Sequence, residues 1–145
     1  MSALPHQYTA SASSSPDSHV SATIEGQPGL SVAPPASFGG PGNIHSPEDL
    51  QVAAVASCFI LSFKAIATAS KLDWESLDVT VSGTLAQEDR QILFTGFETN
   101  AELTIPAGAS REKAERLLEK AEHTCFITNS LKAESTLVTT IQGGE

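Results

Sequence analysis

Basic residues are few in this chain, and its first 63 residues contain no Lys or Arg. The chain has eight basic residues, of which Lys64 is the first, and 17 acidic ones, which gives a formal charge of −9. Surfaces that bind nucleic acid or anionic lipid need clustered basic side chains. We therefore expect neither a nucleic acid nor a membrane as a partner.

Cysteine, leader-like segments and very long apolar stretches are also scarce. Cys58 and Cys125 are the only two cysteines, and no C-x-x-C or H-x-x-H spacing is present, so we expect no metal site. Residues 1–8 lack the basic start and apolar stretch of a secretory signal. The apolar stretch between Gln51 and Lys64 holds twelve residues, fewer than the ~20 of a membrane span. These features predict a cytoplasmic protein whose thiols are reduced at rest.

The most prominent feature that the sequence does contain is a long apolar helix pattern over residues 46–70. Ser46 is suited to the N-cap and Pro47 to the first helical position, with Glu48 and Asp49 in the first turn. The positions that follow are apolar on nearly every side, which is typical of a helix inside a core. Cys58 lies in the middle of this predicted helix.

The rest of the chain alternates between strand patterns and one further helix. Short strands are predicted within residues 8–33, and longer strands within 77–105, where Gly96 indicates a bulge. Ser110 precedes a second helix over 110–124, and a last strand is predicted over 131–141. The order predicts one α+β domain over residues 1–145, with the long helix packed on an antiparallel sheet.

The residues alone leave the role of the two cysteines open. Each is most simply a buried packing residue, because free cysteine is among the most buried residue types. A disulfide, a zinc site and a hydrolase that pairs Cys58 with His123 are weaker alternatives, since no local signature supports them.

Glu48 also has two interpretations. It is most simply a carboxylate that stabilises the positive end of the helix dipole, and alternatively a functional group near a thiol. Because Glu48 and Cys58 are ten residues apart on one helix, about 15 Å separates them. If both serve one site, a second subunit must supply Glu48.

Three segments give the chain a family resemblance. GNIHSPEDLQVAAVASCF resembles the region around the first cysteine of the OsmC/organic hydroperoxide resistance family, where a glutamate precedes that cysteine by ten positions. AEHTCFITNSLKAESTL is similar to that family's second-cysteine segment, and YTASAS resembles its opening strand. The combination of both cysteine segments is what makes the resemblance specific.

The resemblance implies an intertwined homodimer of α+β subunits with active sites at the subunit interface. Cys58 would attack an organic hydroperoxide, Cys125 would resolve the resulting sulfenic acid as a disulfide, and Glu48 would belong to the same site. An external dithiol, such as a lipoyl-bearing protein, would restore the thiols without metal, haem or flavin. Such an enzyme protects against oxidative stress. The alternative on the same fold is a non-catalytic ligand-binding or thiol redox-sensing protein.

Two positions depart from the family pattern. Members carry an Arg in the N-terminal hairpin, whereas this hairpin reads SSPDSHV and only His19 can become cationic there. Phe126 occupies the position after the second cysteine, where the hydroperoxide-resistance branch often has Pro. Without a cation nearby, we expect the apolar helix to raise the pKa of Cys58 and to slow its reaction.

Overall fold

The computed structural model describes residues 3–145, which form helices and strands in the order expected of an α+β chain. The strands are β1 (Ser11–Ser13), β2 (Val20–Thr23), β3 (Leu30–Val32), β4 (Ser76–Glu88), β5 (Gln91–Ile105) and β6 (Glu134–Gly143). The helices are α1 (Pro47–Ala69), α2 (Arg111–Thr124) and α3 (Phe126–Asn129), with a single 3₁₀ turn at Ala36–Phe38. By packing, the chain forms two compact units, one ending at Gln51 and one comprising Val52–Glu145.

The first unit contains a small antiparallel sheet in the order β1, β2, β3. Ser18 organises the turn between β1 and β2, because its hydroxyl accepts from both Ser15 N and Ser15 Oγ at 2.9 Å. A loop rich in Gly and Pro follows β3 and brings the chain back beside the end of β3. There, Ala33 N donates a hydrogen bond to His45 O at 3.0 Å. Gly40 is needed in this loop, since a Cβ there would collide with the carbonyl of Pro34.

Ser46 begins α1 as the sequence predicts. Its buried hydroxyl accepts a hydrogen bond from Asp49 N at 3.0 Å and donates one to the Asp49 carboxylate at 2.9 Å. A serine in this position satisfies backbone N–H groups that the first helical turn leaves unpaired. The start of α1, and with it the position of Glu48, is therefore fixed by a local interaction.

The second unit contains a mixed sheet in the order β4, β5, β6. β4 and β5 form an antiparallel hairpin, and its two turn residues, Asp89 and Arg90, both have positive φ, as a tight hairpin turn requires. β6 pairs with β5 in the parallel direction, so the prediction of an antiparallel sheet is wrong for this strand. The reason is that α2 carries the chain back along the sheet before β6 enters it.

The bulge predicted at Gly96 is confirmed. Thr84 pairs with Gly96 whereas the next residue, Leu85, pairs with Phe94, which leaves Thr95 as the extra residue. The bulge lies in the long β4–β5 hairpin, on the part of β5 where pairing with β6 begins.

α1 buries only one of its faces. Its buried side chains are spaced four residues apart, at Val55, Phe59, Phe63 and Ala67. In the second unit, Phe59 and Phe63 share a core with buried residues of β5 and α2 that include Leu103, Ile105, Ala114, Leu117 and Leu118. Leu61, by contrast, is 64% exposed. The prediction that α1 is enclosed on every side is wrong for a single chain, because the sheet and α2 cover one side only.

α1 also has the length and composition of a membrane-spanning helix, whereas the apolar stretch between Gln51 and Lys64 is too short to be one. It has 23 residues and a mean hydropathy of 1.9. Core helices of soluble proteins have the same composition, and the Phe59 and Phe63 side chains of α1 lie in such a core.

Candidate functional site

The two cysteines lie next to each other in the second unit. Cys58 is on α1, and Cys125 is the residue at which α2 ends and α3 begins, with φ −67° and ψ 114°. The Cys125 thiol donates a hydrogen bond to the Cys58 sulfur, and both cysteines are free thiols. The fold therefore brings together the two residues that the sequence selects for thiol chemistry.

Hydrogen bonds lower the pKa of Cys58 although the site is partly buried. Burial raises the pKa and is the largest single influence. The backbone N–H groups of Ile127 and Phe126, the Cys125 thiol and the Ser62 hydroxyl oppose burial, and their combined effect is larger. The expectation of a raised pKa at Cys58 is wrong, because backbone amides supply the stabilisation that no Lys or Arg provides.

The pKa of Cys125 shifts in the opposite direction. Burial is the main cause, since the residue is only 1% exposed, and hydrogen bonds from Thr128 offset this in part. The neighbouring Cys58 raises the pKa of Cys125 further. Cys58, which has the lower pKa of the two and some access to solvent, is thus the sulfur that ionises first.

The short helix α3 explains why amides point at Cys58. Cys125 leaves the helical conformation after α2, and α3 restarts at Phe126 with Thr128 Oγ1 and Asn129 N donating to Cys125 O at 3.2 and 3.0 Å. The first N–H groups of a helix have no partner within it, so those of Phe126 and Ile127 are available to a sulfur. No sequence pattern predicts α3, because four residues are too few to show a helical period.

His123 does not take part in this cluster. It is exposed near the end of α2 and lines a shallow surface depression with Glu115, Glu119 and Glu122. Within residues 3–145, the groups that hydrogen bond to Cys58 do not include His123, so the arrangement of a Cys–His hydrolase is not formed. The same residues contain no group of three or more His, Cys, Asp and Glu side chains placed to hold a metal ion.

Glu48 belongs to the first unit, where it faces a cavity of about 440 Å³. The lining residues are Ser18, His19, Val20, Val32, Ala33, Pro34, Pro35, Phe38, Pro47 and Glu48. Glu48 Oε1 is buried and has no hydrogen-bond partner among the described residues. Glu48 and Cys58 are ten residues apart along α1, with Glu48 in the first unit and Cys58 in the second.

Comparisons with known proteins agree on one family. A family model described as OsmC-like protein matches residues 40–140, whereas no curated protein matches the sequence. An organic hydroperoxide resistance protein OsmC from Legionella pneumophila has 26% identity and a TM-score of 0.76, and the match covers 97% of this chain and 99% of the other.

Two further solved structures share the fold. An OsmC-like protein from Vibrio cholerae is 21% identical with a TM-score of 0.81, and covers 93% of this chain and 99% of its own. An organic hydroperoxide resistance protein from Elizabethkingia anophelis is 22% identical with a TM-score of 0.77, and covers 99% of both chains. These matches confirm the α+β fold class and the resemblance seen in the sequence. The chain belongs to the family of OsmC-like proteins.

Proposed function

We propose that the protein is a thiol-dependent hydroperoxide reductase in which Cys58 attacks the peroxide and Cys125 resolves the product. The observation that carries the proposal is the contact between the two sulfurs, one with a lowered and one with a raised pKa. The names of the Legionella pneumophila and Elizabethkingia anophelis proteins, both organic hydroperoxide resistance proteins, support an organic hydroperoxide as the substrate.

The reaction begins at the Cys58 thiolate. It attacks the terminal oxygen of R–O–O–H, the O–O bond breaks, and an OH group is transferred to sulfur, which gives a sulfenic acid. The leaving alkoxide takes a proton and departs as the alcohol. The N–H groups of Phe126 and Ile127 increase the fraction of Cys58 that is ionised and can start this step.

The second step uses the proximity of Cys125. Its sulfur attacks the sulfenic sulfur of Cys58, an S–S bond forms, and the OH group leaves with the Cys125 proton as water. An external dithiol then reduces this disulfide by exchange and is itself oxidised to a disulfide. A reduced lipoyl group is a dithiol of the right kind, and we expect the cycle to operate in the cytoplasm.

A homodimer completes the proposal. The uncovered apolar side of α1, with Leu61 as its most exposed large residue, is suited to packing against a second copy of the chain. In that arrangement Glu48 of one copy would approach Cys58 of the other, which one chain alone cannot achieve along a single helix.

The direct test is a peroxidase assay. Purified protein is mixed with cumene hydroperoxide and dihydrolipoamide, and peroxide loss is followed beside the matched variant Cys58→Ser, which keeps the size of the side chain. We expect multiple turnovers for the natural sequence and none for the variant. Equal rates for the two proteins would reject the enzyme proposal.

The second candidate is a ligand-binding or redox-sensing protein, and the cavity at Glu48 is the observation that favours it. A sensor would form the Cys58–Cys125 disulfide once per molecule and stay oxidised in the presence of the dithiol. Intact-mass measurement at successive times after one equivalent of peroxide separates this outcome from turnover.

A further inference from the structure

Cys125 has to act as a nucleophile from a buried position. Its side chain is 1% exposed, and burial raises its pKa because the thiolate loses its solvation by water. The thiolate is the form of cysteine that attacks, so a buried thiol reacts slowly unless a hydrogen-bond donor stabilises the charge. The hydroxyl and the N–H group of Thr128, three residues further along the chain, are donors that lower the pKa of Cys125 in opposition to burial.

The turn of α3 positions the Thr128 hydroxyl beside Cys125. Thr128 Oγ1 donates a hydrogen bond to Cys125 O at 3.2 Å, and Asn129 N donates to the same oxygen at 3.0 Å. A hydroxyl has only one proton to donate. Because Asn129 N also satisfies the carbonyl, the Thr128 hydroxyl can donate to the Cys125 sulfur instead without leaving that oxygen unpaired.

The Cys125 sulfur becomes the better acceptor when it loses its proton. Hydrogen bonds to an ionised acceptor are roughly twice as strong as those between neutral groups. Among residues 3–145, the charged group that acts on Cys125 is Cys58, and its effect is to raise the pKa of Cys125. The stabilisation of a Cys125 thiolate therefore has to come from neutral donors, and Thr128 is the residue that provides them.

We propose that the Thr128 hydroxyl activates Cys125 as a nucleophile, by donating a hydrogen bond to its sulfur while the thiol loses its proton. In the reaction proposed above, the Cys125 sulfur attacks the sulfenic sulfur of Cys58, an S–S bond forms, and the Cys125 proton leaves with the OH group as water. Thr128 governs this second step and not the attack on the peroxide. Its place in a peroxide cycle rests on the proposed function, whereas its effect on Cys125 rests on the structure of α3.

The test measures the attack by Cys125 in the absence of peroxide. The reagent 2,2′-dithiodipyridine is an uncharged disulfide, which Cys58 attacks with release of one pyridine-2-thione. Cys125 then attacks the mixed disulfide on Cys58, releases a second thione and forms the Cys58–Cys125 disulfide. The absorbance of the thione reports both phases. In Thr128→Val, which keeps the shape of the side chain, the second phase at pH 7 should slow at least about fivefold and the first should stay within about twofold.

The pH profile of the second phase distinguishes activation from a merely structural role. Loss of a donor to the thiolate raises the pKa of Cys125, so Thr128→Val should reach half its maximal rate at a pH higher by roughly 0.7 unit and approach the natural rate at high pH. A variant that only distorted α3 would be slower at every pH. Equal second phases in the two proteins, or a loss that is the same at every pH, would overturn the proposal.

Two further variants serve as controls. Thr128→Ser keeps the hydroxyl and should restore the second phase to within about twofold of the natural rate. Thr124→Val removes the hydroxyl of an exposed threonine beside Cys125 that donates to Lys120 O at 2.9 Å, and should leave both phases unchanged. A second phase slowed equally in Thr124→Val and Thr128→Val would assign the effect to the connection between α2 and α3 and reject the role of the Thr128 hydroxyl.

The outcomes of this test and of the peroxidase assay are distinguishable. If the second phase depends on Thr128 as expected and no peroxide is turned over, the enzyme proposal fails and the role of Thr128 stands. If peroxide is turned over and Thr128→Val keeps the natural second phase, the role of Thr128 fails and the enzyme proposal stands.

Discussion

The Cys125 thiol donates a hydrogen bond to the Cys58 sulfur, and this contact makes two chemically identical side chains unequal. The pKa of the acceptor Cys58 is lowered and that of the donor Cys125 is raised. Cys58 also receives two backbone amides, while Cys125 is buried. The order of reaction is consequently a property of the folded chain and not of the residue type.

Single serine variants should separate the two sulfurs. After one equivalent of peroxide, we expect Cys125→Ser to accumulate a sulfenic acid on Cys58, because no thiol is left to resolve it. Cys58→Ser should keep Cys125 as a thiol. Trapping with dimedone followed by peptide mass spectrometry detects the adduct, and an adduct found first on Cys125 would reverse the assigned roles.

Alkylation rates should follow the two pKa directions. Iodoacetamide reacts with the thiolate, so the rate at Cys58 should reach half its maximum at a lower pH than for an ordinary cysteine, and the rate at Cys125 at a higher pH. Quantifying both labelled peptides between pH 5 and pH 10 provides the measurement. Coincident profiles would contradict the asymmetry.

The same shift predicts how the stability of the fold depends on pH. Because the pKa of Cys58 is lower in the folded than in the unfolded chain, its thiolate stabilises the fold above the unfolded pKa. This contribution should disappear as the pH falls through the folded pKa. Urea unfolding of the natural protein and of Cys58→Ser across this range should converge at the lower pH values.

Phe126→Pro tests the amide contribution directly. Phe126 is the first residue of α3 and follows a residue in extended conformation, which is where proline fits a helix, so the substitution removes little besides the N–H group. We expect a higher pKa at Cys58 and slower alkylation near pH 7. The measurement is the same labelling profile.

Phe126→Ala is the matched control for this change. The Phe126 ring is 76% exposed, so its loss leaves the core intact while the N–H group stays in place. The alanine variant should keep the labelling profile of the natural protein. An equal rise of the pKa in both variants would assign the effect to the ring.

Two α1 residues should respond differently to truncation. Phe63 is fully buried, and its ring packs edge to face against Trp74 with 5.5 Å between the ring centroids. Phe63→Ala should therefore lower the free energy of unfolding by about 3–5 kcal/mol. Leu61→Asp alters an exposed side chain and should weaken self-association while each chain stays folded. Urea unfolding and analytical ultracentrifugation distinguish the two effects; a folded, fully dimeric Leu61→Asp protein would contradict a dimer through this face.

Much of the fold follows from interactions between residues that are close in sequence. The caps at Ser46 and Ser110 and the bulge beside Gly96 are confirmed at the predicted positions. The parallel direction of β6 could not be predicted from periodicity, because alternation is the same for both directions. The uncovered side of α1 could not be predicted either, because an apolar pattern does not show which molecule covers a helix face.

The sequence singles out side chains of the candidate site but not its backbone groups. Cys58, Cys125 and Glu48 stand out by residue type and spacing, and the two cysteines are indeed in contact. The amides of Phe126 and Ile127 have no signature in the sequence, since every residue other than proline carries one. Their effect on Cys58 arises only when α3 starts beside α1, which is why the expected direction of the pKa shift was wrong.

The parallel pairing of β5 with β6 also determines when the core can form. Gly96 pairs with Glu134 and Ile105 with Gly143, so the sheet closes only after the intervening helices have been made and have folded back. Contacts between residues this distant in sequence slow folding, because a long loop must be ordered before they form. Until β6 arrives, the edge of β5 that carries Ala101 and Leu103 is unprotected. A chain in which β6 has not yet paired therefore presents a strand edge to which another chain can add.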